Sequence, residues 1–203
     1  MAKLLLGTNN QAKIREYRSL LEGLSYQLVT LSELGITTQV DEVGGSLEEN
    51  ARLKAVHLAR ESQLLTLADD SGLEVDALGG EPGPLSARYA GEGASDNVRI
   101  RFLLTKLKEV LWEKRSARFR CVIAVATPDG EVELFSGECQ GLITFEAKGE
   151  HGFGYDPVFY LPQLDKTMAE LPLAMKNQVS HRGQAARKSY PALQKLVGGE
   201  YAR

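Results

Sequence analysis

Asp69 and Asp70 stand side by side after the apolar run Leu64 to Ala68, and paired carboxylates at the end of a strand are a common way to bring charge to a reaction. Hard oxygen donors suit Mg²⁺, which keeps several waters and uses one or two carboxylates together with substrate phosphates. Successive side chains on a strand point to opposite sides, so one of the two acids faces the ligand and the other is structural. Asp69-Asp70-Ser71-Gly72 could equally form an Asx-type turn that ends the strand. Glu42 lies in the acidic, base-free stretch from Ile36 to Asn50 and is a possible second metal ligand. Near the start of the chain, the polar run Thr8, Asn9, Asn10, Gln11 separates a short apolar strand from a helix whose first turn holds Ala12 and Lys13. A helix N-terminus at the end of such a loop favours an anion through its free N–H groups and its dipole. Asn9 and Asn10 could also simply turn the chain and cap the helix.

Phe153-Gly154-Tyr155-Asp156 puts an aromatic face, backbone N–H groups and a carboxylate within four residues. Such a set would hold a flat heterocycle, since bases stack on aromatic rings. The two rings could instead fill a core beneath a turn. Lys176, His181 and Arg182 concentrate donors further along, in a stretch that could also be a cap and a solvated turn. Arginine donates and never accepts, so it can tell a keto oxygen from an amino group. Lys54, one turn beyond Asn50, is either a phosphate ligand or a solvated lysine.

The elements that position these groups follow from periodicity. Lys3 to Leu6 and Tyr26 to Thr30 read as short strands, and Ala12 to Leu21 as a helix with Ile14, Tyr17 and Leu20 at helical spacing. Ser46-Leu-Glu-Glu49 fits a capping box that opens a helix to about Glu61 with Leu47, Ala51, Ala55 and Leu58 inward. Residues 79 to 94, rich in Gly and Pro, are expected to form a long ordered loop. Ser95 is placed to cap a helix with Val98, Phe102, Leu103, Leu107 and Leu111 facing the core. Ala117 to Ala126 and Glu131 to Phe135, joined by Thr-Pro-Asp-Gly, predict an antiparallel hairpin, followed by a third strand near Gly141 to Phe145 and a helix from Gly183 to Leu196. The sum is an α/β fold with a mixed β-sheet flanked by helices, in a single domain over residues 1–203.

Composition narrows the function. With 24 basic and 27 acidic side chains the net charge is −3, which lacks the basic footprint of a nucleic-acid binder, so an anionic ligand must be met by a local pocket. The longest apolar run, Cys121 to Ala126, is far short of the ~18 residues of a membrane span, and the three leucines after Met1 stop too soon for a signal peptide. Cys121 and Cys139 have neither metal-site spacing nor a disulfide pattern, so a reduced cytoplasmic setting is expected.

Six segments, in order, resemble the inosine triphosphate pyrophosphatase family, which hydrolyses non-standard purine nucleoside triphosphates. They are Thr8-Asn-Asn-Gln-Ala-Lys13, Glu49-Asn-Ala-Arg-Leu-Lys54-Ala, Ala68-Asp-Asp-Ser-Gly-Leu73, Pro82-Gly-Pro-Leu-Ser-Ala-Arg-Tyr-Ala-Gly91, Phe153-Gly-Tyr-Asp-Pro157 and Ser180-His-Arg-Gly183. The resemblance implies an elongated, two-lobed fold with a central cleft, a homodimer and a requirement for Mg²⁺. It implies that residues 8 to 13 hold phosphates with help from Lys54, and that Asp70 is the catalytic acid and metal residue with Ser71 beside it. It implies too that Phe153 to Asp156, Lys176, His181 and Arg182 hold the base, and that Glu42 can add a metal ligand. Asn9 stands where the family commonly has Gly, and Ser46 and Leu47 where Thr and Phe are usual. The implied reaction is NTP + H₂O → NMP + diphosphate. A related pyrophosphatase with another base preference, and a non-catalytic nucleotide sensor, are the alternatives.

Overall fold

In the computed structural model, residues 2–40 and 45–197 are described. In chain order the elements are β1 (Ala2–Leu6), α1 (Gln11–Leu20), β2 (Tyr26–Thr30), α2 (Leu47–Ser62), β3 (Leu65–Val75), β4 (Pro82–Gly83), α3 (Asp96–Lys106), β5 (Ser116–Ala126), β6 (Val132–Ile143), β7 (Phe159–Leu161), β8 (Lys166–Thr167), α4 (Leu173–Val179) and α5 (His181–Val197). One eight-stranded sheet runs in the order β2-β1-β3-β5-β6-β7-β8, with β4 paired to β3. β1 is parallel to β2 and β3, whereas β3/β4, β6/β7 and β7/β8 are antiparallel, so the sheet is mixed as expected.

The chain forms two compact units, Met1–Asp70 with Cys121–Gly137 and Arg182–Arg203, and Ser71–Arg120 with Glu138–His181. In the first, the part of β5 from Cys121 to Ala126 is buried on both faces. Cys121, Ile123 and Val125 join Leu4, Leu6, Ile14, Tyr17, Ala185 and Ala186, while the alternate residues Val122, Ala124 and Ala126 meet Leu47, Ala51, Ala55 and Ala59 of α2. Period-two alternation with apolar residues on both sides is what a strand between two helical layers requires. Each of these large side chains, fully buried, contributes about 1.5–3 kcal/mol. In the second unit Leu73, Val75, Ile100, Leu103, Phe119, Ile143 and Phe159 form a separate core.

Helix starts follow local chemistry. Asn10 caps α1, its Oδ1 accepting the N–H groups of Ala12 at 2.9 Å and Lys13 at 3.1 Å. Ser46 caps α2 by accepting the Glu49 N–H at 3.2 Å, and Glu49 reaches back to the Gly45 N–H at 3.0 Å. Ser95 stands at the start of α3 but makes no side-chain capping bond.

Several local expectations are corrected. The Asp69–Gly72 segment is not a turn: β3 continues through it to Val75. Glycine is required there for packing, because a Cβ on Gly72 would lie 2.3 Å from the Gly83 carbonyl oxygen of the paired strand β4. The loop at 79–94 accordingly contains β4 and a short helical turn at Ser86–Arg88. Gly141 to Ile143 belong to β6 and form no separate third strand. Helix α3 ends at Lys106, so Leu111 lies beyond it; Leu103 and the capping Leu107 are buried as expected, but Val98, Phe102 and Leu111 are exposed. Helix α4 had no periodic signal of its own, being only seven residues long.

Candidate active site

The chemistry-bearing residues fall into two constellations, one in each unit. The first is built on β1, α1, α2, β3 and α5. Asp69 and Asp70 lie within β3 and are 2% and 5% exposed, so two carboxylates are held away from water. Isolated burial of a charge is costly, so each acid must be met by cations or donors. Asp69 is met by Lys13 Nζ at 3.0 Å on one oxygen and by Arg182 Nε at 3.3 Å and Nη2 at 3.2 Å on the other. Arg182, itself buried, also donates through Nη1 to Glu16 Oε2 at 2.7 Å. Asp70 is met by Asn50 Nδ2 at 3.0 Å and by Lys54 Nζ at 3.7 Å. Adjacent strand residues thus serve separate partners, as alternation demands.

The electrostatic consequence is clearest at Asp69. Burial alone would raise its pKa, yet Lys13, Arg182 and Lys54 outweigh burial and hold the carboxyl well below its usual range. The neighbouring Cys121 thiol is pushed up to about 12, first by burial and then by the Asp69 charge. That thiol stays protonated and is no nucleophile at neutral pH. Burial, then Asp69, likewise raises the Tyr17 phenol.

At the loop, Gly7 N–H donates to Leu67 O at 2.7 Å, which fixes the end of β1 beside β3, and Thr8 Oγ1 accepts the Asn10 N–H at 3.2 Å. The capping alternative for Asn10 is realised, so the Ala12 and Lys13 amides are already taken. Asn9 needs no glycine-like backbone: among the described residues, only Gln63 and Asp165 adopt positive φ without being glycine. Asn9, Asn10 and Gln11 are exposed, while Thr8, Ala12, Lys13 and Lys54 are half-buried.

The second constellation is built from the loop before β7, from α4 and from the start of α5. Lys176 and Asp156 are 2% and 3% exposed and form a tight ion pair. Phe153 N–H donates to Asp156 Oδ2 at 2.8 Å, and Lys176 Nζ lies 4.8 Å from the centre of the Phe153 ring. Glycine is favoured at 152, whose φ is +75°, because a Cβ there would lie 2.0 Å from Asp156 Oδ2 and force that side chain to shift. Tyr155 is buried and its hydroxyl donates to Ser86 O at 2.9 Å, so one of the two rings does serve the core. His181 stacks on Phe119 with 4.7 Å between ring centres. Ser71 is half-buried on β3, in this same unit.

The structure therefore brings Lys13, Lys54 and Asp70 together and adds Asp69, Asn50 and Glu16, which were not among the expected site residues. Arg182, grouped in the sequence with the base-holding residues, has its guanidinium on Asp69 and Glu16. Two signals were available: Glu16 follows Lys13 by one helical turn, and Asn50 precedes Lys54 by one. Glu42 lies outside the described residues. Among the described residues, no group of three or more His, Cys, Asp or Glu side chains could by itself hold a metal ion.

A mixed α/β sheet carries buried carboxylates among lysines in one unit, and an aromatic loop around a buried lysine–aspartate pair in the other. The chain belongs to the Ham1 family, whose match spans residues 4–192. A protein of Desulforamulus reducens named dITP/XTP pyrophosphatase is 48% identical over 96% of this chain and 96% of its own. A Bacillus subtilis protein of the same name is 44% identical over 93% of this chain and 95% of its own. Among solved structures, the Staphylococcus aureus Ham1 protein superposes with a TM-score of 0.84 at 44% identity, covering 95% of this chain and 98% of that one. A HAM1 protein from Coxiella burnetii gives 0.87 at 38% identity, covering 96% of this chain and 100% of that one.

Proposed function

We propose that this protein is a nucleoside triphosphate pyrophosphatase that hydrolyses deaminated purine nucleotides, dITP and ITP together with XTP and dXTP, to the monophosphate and diphosphate. The substrate class follows the names of the relatives, and the observation that carries the chemistry is Asp70, buried between Asn50 and Lys54. Attack of water on the α-phosphorus needs positioning and charge neutralisation more than covalent help. Lys54 and Lys13 supply positive charge towards the phosphates, and their low exposure strengthens it by excluding water. Asp69 holds Lys13 in place, and Asn50 fixes the rotamer of Asp70, which orients the attacking water or takes its proton.

Mg²⁺ fits the donor set. A single hard carboxylate is a typical protein share of its ligands when phosphates and waters complete the shell, so Asp70, with Glu42 by family resemblance, would hold it. Bound there, Mg²⁺ would neutralise phosphate oxygens. A homodimer and a cytoplasmic location belong to the same proposal. The location is consistent with two buried free cysteines, and the homodimer rests on the family resemblance alone.

Base selection rests on hydrogen-bond polarity. Hypoxanthine and xanthine present a 6-keto acceptor to the donors of the second constellation, whereas adenine presents an amino group that would face them unpaired; guanine shares the keto group and is refused at its 2-amino group. A buried unpaired polar group costs about 1–3 kcal/mol, or roughly tenfold to over a hundredfold in rate. The test is hydrolysis of dITP, ITP and XTP beside dATP, dGTP, dCTP and dTTP with Mg²⁺, with diphosphate and orthophosphate assayed separately. Diphosphate released from the inosine and xanthine nucleotides alone is the expected outcome. Orthophosphate release, or equal rates on all bases, would discard the proposal.

A further inference from the structure

The loop assigned to the base is held from outside itself. Gly154 N–H donates to Asp96 Oδ2 at 2.6 Å, and the other oxygen of Asp96 pairs with Arg99, whose guanidinium also donates to the Ala87 carbonyl. On either side of Gly154, Phe153 is tied to Asp156 and Tyr155 to the Ser86 carbonyl. Three successive loop residues are thus anchored, and Asp96 supplies the central anchor. An aspartate in the first turn of a helix ordinarily serves its own helix, by satisfying free N–H groups or the dipole. Here the helix start lacks a side-chain cap from Ser95, while the Asp96 carboxylate is turned towards the loop.

We infer that Asp96 is a positioning residue for the base-binding loop: it fixes the Gly154 peptide and thereby sets the plane of Phe153 and the reach of Asp156. The inference rests on the proposed function, since it gives that loop's geometry a role in purine binding. Asp96 touches no reacting atom, so its loss acts on binding of the base and leaves the chemistry at the phosphates.

The experiment is steady-state hydrolysis of dITP by the full chain and its Asp96→Ala, Asp96→Ser and Asp96→Asn variants, with product inhibition by IMP and by diphosphate measured separately. Serine suits a helix start but is too short to reach Gly154, so it carries the test if the alanine variant fails to fold. In both, KM for dITP and Ki for IMP rise about five- to tenfold, the effect of losing one charge-assisted hydrogen bond, while kcat stays within about twofold and diphosphate inhibition is unchanged. Asparagine keeps an oxygen that can accept the Gly154 N–H and restores KM to within about twofold of wild type. A purely structural role would lower kcat on every substrate or shift both inhibition constants together, and that result overturns the inference. Wild-type KM in the alanine and serine variants, or no rescue by asparagine, overturns it as well. Those outcomes presuppose an active wild type; a wild type inactive on every purine triphosphate removes the functional reading and the inference with it.

Discussion

The two constellations solve the burial of charge in opposite ways. Around Asp69 and Asp70 the acids are shared among several cations drawn from α1, α2 and α5, and Lys13 and Lys54 keep some exposure, at 14% and 13% of their side chains. Around Asp156 the Lys176 ammonium meets a carboxylate that also accepts the Phe153 N–H, and both side chains are shut in beside the Phe153 ring. In the first constellation three cations, Lys13, Lys54 and Arg182, are balanced by Asp69, Asp70 and Glu16, but the two lysines keep enough exposure to turn towards an incoming polyanion. A closed one-to-one pair has no charge to spare and acts by shape and by directed hydrogen bonds. Substitutions in the first should therefore strike rate and electrostatic stability, and those in the second substrate binding.

The sharpest way to break this contrast is Asp70→Asn. The substitution keeps size and an acceptor for Asn50 while removing the charge that faces Lys54, so kcat should fall roughly 10⁴-fold while the circular dichroism spectrum still shows a folded chain. A variant that keeps near-normal kcat would remove Asp70 from the chemistry. Asp69→Asn comes next and acts on stability. It leaves Arg182 and Lys13 facing a neutral side chain in a buried site, at a cost of about 3–5 kcal/mol in urea unfolding.

The same acid has a pH signature. Because folding lowers the pKa of Asp69, the unfolded chain binds the proton first, and stability rises with pH across the interval between the two values. The contribution is complete above the ordinary carboxylate range near pH 4 and erodes as pH falls through it. Between about pH 5 and 3 the wild type should lose stability more steeply than Asp69→Asn. Parallel slopes would mean that the charge of Asp69 is not what pins Lys13 and Arg182.

Much of the fold is legible in sequence because its signals are local. The alternation in Cys121 to Ala126, the Ser46 cap and the alanine stripe of α2 each satisfy a short-range rule. Asp69-Asp70-Ser71-Gly72 misleads for a tertiary reason: its residues favour a turn, but pairing with β4 and the close approach of the Gly83 carbonyl keep the strand extended. The site shows the same division. Lys13, Lys54 and Asp70 could be named from motifs, whereas the pairing of Arg182 with Asp69 and Glu16 joins residues 113 and 166 positions apart, a distance that no local pattern reports.

A smaller effect sharpens the second half of the contrast. Gly152→Ala forces a side chain onto a backbone with φ of +75° and a Cβ into the space of Asp156 Oδ2. The strain should cost about 1–3 kcal/mol in stability and raise KM for dITP severalfold with kcat little changed. Equal losses in kcat and kcat/KM would show that this loop reaches the transition state at the phosphates, and the division of labour would fail.

The smallest expected effect separates two uses of one residue. Asn10 caps α1, and replacing a cap by alanine costs about 1 kcal/mol, so Asn10→Ala should lower the melting temperature by a few degrees. Asn10→Ser keeps a capping oxygen and should restore that loss. If capping is the whole role, serine restores KM for dITP as well, because the loop and Lys13 return to their places. If the amide also reaches the phosphates, serine restores stability and leaves KM raised, since its hydroxyl is shorter and already committed to the helix. The second result is expected: the residue is exposed and precedes Lys13 by one helical turn, and the cap uses only Oδ1 of its amide.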